Sequence, residues 1–246
     1  MENQSLQGKK ILITGGTTGI GRATAVLLSQ MGANVFIFGR HERELDDAFA
    51  DIERLSGKKA FGLTADVANP DDVEKVFAQV KKDFAGKLDV LINNAALPAG
   101  NVIDTAVPDI YYVVSTNLIG YLTCTKYAME IMRKQKDGHI VFVGSLSAET
   151  RDPGSDLYVA TKSGISGFVD SFRRSANHEG VKVALIEPGS TGSNLVDEPV
   201  ERQRQFQLEE KMLKAEDVAD AIIFAISSRS RVDIINLWLK PRKQNI

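Results

Sequence analysis

A single cysteine, Cys124, stands among 246 residues. One thiol excludes an intramolecular disulfide and a cysteine-rich zinc site. The three histidines, His41, His139 and His178, are scattered without metal-ligand spacing, so no metal is expected. Neither sign of charge is in excess. With 30 basic and 32 acidic residues the net charge is −2, which argues against nucleic acid as a partner. No run approaches the roughly 20 apolar residues that a membrane helix needs. The longest, around Val218 to Ile226, carries Asp220. The opening MENQSLQGKK holds Glu2 and has no apolar stretch before Ile11, unlike a signal peptide. No Ser/Gly/Pro-rich linker or internal repeat divides the chain. The expectation is a cytoplasmic protein with no membrane partner, folded as a single domain over 1–246.

The composition is that of a chain able to bury a full core: 43% hydrophobic and 25% charged. Short apolar runs rich in β-branched residues recur, at Lys9–Thr14, Val35–Phe38, Lys59–Thr64, Val90–Ile92, His139–Val143, Val181–Ile186 and Ile234–Leu239. Stretches with helical periodicity separate them, which predicts βαβ units and a Rossmann-type, doubly wound, mostly parallel seven-stranded sheet with helices on both faces. Asn69-Pro70-Asp71-Asp72 reads as a helix start, because asparagine caps and proline is tolerated in the first turn. Two longer helical stretches, about 108–135 and 156–178, flank the fifth strand. The segment from about Ser190 to Lys211 is polar and interrupts the pattern, so it is expected to form a lid.

The turn after the first strand is Thr14-Gly15-Gly16-Thr17-Thr18-Gly19-Ile20-Gly21. Its glycines permit a tight turn and let a pyrophosphate approach a helix N-terminus, where free N–H groups favour an anion. The spacing is GxxxGxG rather than GxGxxG. A residue that selects the dinucleotide is expected about 20 positions on, at the end of the second strand. Arg40 stands there, preceded by Gly39. An arginine pairs well with a 2′-phosphate, so NADP(H) is favoured. Glu42 and Glu44 close by keep NAD(H) open.

Tyr158 and Lys162 are spaced i, i+4, which puts phenol and ammonium on one helix face. A nearby ammonium favours the phenolate and brings a group of ordinary pKa about 10 closer to neutrality. Ser145 follows the strand that ends at Val143, where open α/β sheets place ligands. Leu97, Ser147, Ser190 and Leu195 are candidate pocket residues by position.

With these residues in view, the chain resembles the short-chain dehydrogenase/reductase family over about Lys9 to Leu239. Thr14–Gly21 is similar to its TGxxxGIG turn. Asp66-Val67 matches the acid and valine that hold the adenine. Asn93-Asn94-Ala95-Ala96 resembles its NNAG strand end, with Ala96 in place of glycine. The resemblance implies a catalytic Asn117, Ser145, Tyr158 and Lys162. It also implies a nicotinamide loop at Pro188-Gly189 with Thr191 and Ser193, where serine replaces the usual threonine. The cofactor contacts so implied are Gly15, Thr17, Thr18, Gly19, Ile20, Gly21, Arg40, Asp66, Val67, Asn93, Ala95, Tyr158, Lys162 and the 188–193 loop.

The implied activity is hydride and proton exchange between a small-molecule carbonyl and its alcohol. Tyr158 is then the acid, and Asn117 holds a water that refills the proton through Lys162. The ending Asn236–Gln244 resembles the tail of NADP-dependent 3-hydroxy-acid dehydrogenases of the family. A catalytically silent dinucleotide-binding regulator is the alternative, and it leaves the four catalytic-type residues unexplained. Tyr111, Val114, Leu118, Leu122 and Met129 on one helix, with Ile165, Phe168 and Phe172 on the other, exceed what one sheet face needs. In the family such helices pair across a two-fold axis, and tetramers add a contact through the last strand. A homodimer or homotetramer is therefore implied.

Overall fold

The computed structural model describes residues 4–193, 196 and 198–244. Its strands are β1 (Lys10–Thr14), β2 (Asn34–Gly39), β3 (Phe61–Thr64), β4 (Val90–Asn93), β5 (Gly138–Val143), β6 (Val181–Pro188) and β7 (Asn236–Leu239). Among the described residues they form one sheet, ordered β3-β2-β1-β4-β5-β6-β7, in which every neighbouring pair is parallel. Strand order reverses between β1 and β4. At such a switch point the chain leaves in opposite directions and opens a crevice at the C-terminal strand ends.

The helices are α1 (Gly19–Gln30), α2 (Glu42–Ser56), α3 (Pro70–Asp83), α4 (Val107–Val114), α5 (Gly120–Gln135), α6 (Ser147–Thr150), α7 (Asp156–His178), α8 (Val200–Leu208) and α9 (Ala215–Ile226). Because side chains alternate along a strand, each strand feeds both faces. Leu12, Phe36, Leu91, Ile140 and Phe142 join the core beneath α3, α5 and α7. Ile11, Ile13, Ile37, Ile92, Val141 and Ile186 join the core beneath α1, α2 and α9. No described helix is long and apolar enough to cross a membrane.

The expected helix start at Asn69 is present: the Asn69 side chain accepts from the Asp71 N–H at 3.0 Å, and Pro70 opens α3. The stretch expected as one helix over about 108–135 is instead broken. A π-helical turn, Ser115–Ile119, separates α4 from α5, with the Gly120 N–H bonded to the Ser115 carbonyl. Tertiary contacts impose it. Asn117 is tied to the Leu97 peptide, and a Cβ on Gly120 would lie 2.8 Å from Val67. In the polar stretch beyond Ser190, α8 carries no buried residue. Leu195 lies outside the described residues.

Candidate active site

A cleft of about 760 Å³ runs along the C-terminal strand ends from Arg40 to the α6–α7 region. Its floor is the turn from Gly15 to Ile20, and tight packing explains the glycines. Gly15 has φ +62°, and a Cβ there would sit 2.8 Å from the Ala95 Cα. Thr14 Oγ1 accepts from the N–H groups of both Asn94 and Ala95, each at 2.9 Å. The Asn94 amide donates back to the carbonyls of Thr14 (3.0 Å) and Gly15 (3.1 Å). The ends of β1 and β4 are thus stitched together before any ligand is considered.

Thr17, Thr18, Gly19, Ile20, Arg40, Asp66, Val67, Ala95, Pro188, Gly189, Thr191 and Ser193 all line the cleft. Two expected contacts do not. Gly21 lies behind the turn, where a Cβ would collide with the Gly15 carbonyl, so it serves the packing of α1 on β1. Asn93 is fully buried and donates to Thr125 Oγ1 at 3.1 Å. Its neighbour Asn94, one residue past the strand and so on the other side, lines the cleft instead. Ala96, standing for glycine, has no positive φ and carries no backbone strain.

At the far end Ser145, Tyr158 and Lys162 converge. Ser145 is placed by the end of β5 and accepts from the Ser147 N–H at 3.1 Å. Burial pushes the Tyr158 phenol above its ordinary value, and the neighbouring Ser145 hydroxyl, which favours the phenolate, opposes that shift. The expected lowering by Lys162 is not seen in this arrangement. Lys162 is 1% exposed and turns its Nζ onto the Val143 carbonyl at 2.9 Å. Burial draws the ammonium down to about 7, with the Glu187 charge acting in the opposite direction.

Asn117, expected beside them, does not line the cleft. Its Oδ1 accepts from the Leu97 N–H at 2.7 Å and its Nδ2 donates to the Leu97 carbonyl at 2.9 Å, so the amide clamps one peptide. Leu97, Ser147 and Ser190 do line the cleft. Two other contributors had no sequence signal. Gln244, from the C-terminal tail, lines the cleft and accepts from the Ser190 N–H at 3.0 Å. Tyr112 bonds both Arg40 and Asp66.

A glycine-floored crevice at a switch point, with a serine, tyrosine and lysine at one end, defines a Rossmann-type nucleotide-binding oxidoreductase. A family model described as short chain dehydrogenase matches residues 9–204, and the chain belongs to that family. It is an oxidoreductase of the kind that acts on CH–OH groups. A 3-oxoacyl-[acyl-carrier-protein] reductase of Haemophilus influenzae is 31% identical over 90% of this chain and 92% of the relative. An NADP-dependent 3-hydroxy acid dehydrogenase of Schizosaccharomyces pombe is 28% identical over 97% and 95%. Among solved structures, a short chain dehydrogenase from Burkholderia cenocepacia in complex with NADP superposes with TM-score 0.84 at 29% identity, covering 97% and 98%.

Proposed function

We propose that the protein is an NADP(H)-dependent reductase or dehydrogenase that interconverts a small-molecule carbonyl and its alcohol. The observation that carries this reading is one continuous cleft with Arg40 and Asp66 at one end and Ser145, Tyr158 and Lys162 at the other. The residues suit a dinucleotide. Gly15 and Gly39 leave no room for a Cβ, which would meet Ala95 at 2.8 Å and Thr17 at 2.5 Å, so the chain closes tightly beside the cleft, and the free N–H groups at the start of α1 suit a pyrophosphate. Arg40 is the cation available to a 2′-phosphate, and Asp66 with Val67 flanks the adenine.

The bound nicotinamide supplies the hydride. Ser145 and Tyr158 donate hydrogen bonds to the substrate oxygen and polarise its carbonyl. Tyr158 gives its proton to that oxygen as the alkoxide forms, and takes it back in the reverse direction. Lys162, turned from Val143 toward Tyr158, favours the phenolate and replaces its proton. The Asn117 amide clamps Leu97 at the cleft wall, and a water held at Asn117 refills the proton through Lys162. The relatives give no support to a silent regulator.

NADPH consumption against a panel of aldehydes and ketones tests the reaction, and consumption with none of them refutes it. Arg40→Ala tests the cofactor. It should weaken NADPH by about 1.5–3 kcal/mol and leave NADH nearly unchanged. Equal losses for both would make Arg40 a structural residue.

A further inference from the structure

Arg40 is exposed, follows the last residue of β2, and has a long flexible side chain. It is nevertheless held. Its Nη1 donates to the Tyr112 hydroxyl at 2.7 Å, and the guanidinium carbon lies 5.6 Å from the centre of the Tyr112 ring. The same hydroxyl donates to Asp66 Oδ2 at 2.6 Å. The proton positions follow from chemistry alone. A guanidinium only donates and a carboxylate only accepts, so the single phenolic proton must go to Asp66 and a lone pair must face Arg40.

Asp66 is itself fixed, because its Oδ1 accepts from the Ala68 N–H at 2.9 Å and its own N–H donates to Asp72 Oδ2 at 3.1 Å. The chain of bonds therefore runs from a rigid loop, through one hydroxyl on α4, to the arginine. Tyr112 does not line the cleft; it stands behind Asp66, beside Asn69 and Tyr111, in a separate depression.

From this arrangement we infer that Tyr112 determines cofactor selection by positioning Arg40. The inference rests on the reading of Arg40 as the 2′-phosphate partner. Tyr112 takes one of the five N–H donors of the guanidinium and leaves the rest of the fork for a phosphate. An arginine already immobilised loses less rotamer freedom when the anion arrives, so the hydroxyl raises affinity for the phosphorylated cofactor alone. NADH, which offers no phosphate, gains nothing from the strut. Asp66 contributes twice, at the adenine end of the cleft and as the acceptor that orients the phenol.

The test is a set of dissociation constants for NADPH and NADH, measured on the full chain by cofactor fluorescence. The proteins are the wild type, Tyr112→Phe, Arg40→Ala and the double variant. Tyr112→Phe keeps the ring and removes only the hydroxyl. It should weaken NADPH roughly three- to tenfold and leave NADH unchanged. In the Arg40→Ala background the same substitution should do nothing more.

A loss shared equally by both cofactors would mean that Tyr112 merely shapes the adenine wall, and overturns the inference. So does an unchanged NADPH affinity, or an effect that persists without Arg40. These failures differ from failure of the cofactor reading. If Arg40→Ala removes the NADPH preference while Tyr112→Phe keeps it, only the role of Tyr112 falls. If Arg40→Ala leaves the preference intact, both fall.

Discussion

Lys162 holds an ammonium where an apolar side chain would be more stable. It is 1% exposed, its Nζ lies 5.4 Å from the centre of the Tyr121 ring, and the Val143 carbonyl is the oxygen it bonds. That carbonyl also accepts from the Tyr121 hydroxyl at 3.2 Å, so removing the lysine leaves it paired. Burial lowers the Lys162 pKa to about 7, against about 10.4 in the unfolded chain. The unfolded state therefore binds the proton more readily, and stability falls as pH drops from about 10 to about 7. Lys162→Met should raise stability at neutral pH by about 1–3 kcal/mol while abolishing turnover. Denaturant melts beside NADPH consumption check both halves, and a less stable variant would show that the ammonium is well compensated. Tyr158→Phe is the complementary change. It removes one oxygen from the proposed acid, so turnover should fall roughly 100-fold or more with NADPH binding kept. Near-normal turnover sinks the assignment.

The strands show what periodicity can and cannot reveal. All seven apolar runs became strands: the five inner ones are the apolar runs expected of parallel strands buried on both faces, and the edge strands β3 and β7 are short and partly exposed but still apolar enough to read. The π-helical turn was invisible, since the Leu97 clamp and the close approach of Val67 that impose it come from elements distant in the chain. The pair Asn93-Asn94 marked the right strand end, but only the register decides which side chain reaches the cleft. Tyr112 lies 72 residues from Arg40 and 46 from Asp66, a separation that no local pattern spans. A further element-level consequence belongs to β5. His139 pairs between Val90 and Lys182, is 4% exposed, and neither ring nitrogen has a partner among the described residues. Burial, then the Lys182 charge, pushes its pKa down to about 3. An unfolded histidine titrates near 6.5, so below that pH the unfolded chain takes up a proton that the native ring refuses. Stability is lost from about 6.5 down toward 3, at up to about 1.4 kcal/mol per pH unit. Between pH 7 and 4.5 the wild type should lose about 2–3 kcal/mol more than His139→Leu. Denaturation curves that fall in parallel would show that the ring is protonated in the native state.

The whole molecule presents apolar side chains in two separate places. On the α4–π–α5 side, Tyr111 is 72% and Ile119 48% exposed, and Leu118, Met129, Phe168 and Phe172 are only partly buried. Phe168 and Phe172 stack at 5.1 Å and 11°. Ile165, expected on this outer surface, is fully buried against the sheet and drops out of it. The second patch lies at β7, one of the two edge strands, where Trp238 (59%) and the preceding Ile235 (55%) stand open. Trp238 is not loose: its indole N–H donates to Glu187 Oε2 at 2.6 Å, which fixes a large aromatic surface outward. A monomer has little reason to hold a tryptophan rigid in water beside an unpaired strand edge. If each patch meets its own copy across a two-fold axis, one gives a dimer and both together a tetramer. At micromolar concentration, light scattering coupled to size exclusion should therefore give twice or four times the single-chain 26.9 kDa. Trp238→Ala separates the two surfaces, because a tetramer that uses β7 falls to the dimer held by α4, α5 and α7. A mass near that of one chain across the whole concentration range refutes the assembly, and both patches would then have to be explained as something other than contacts between copies.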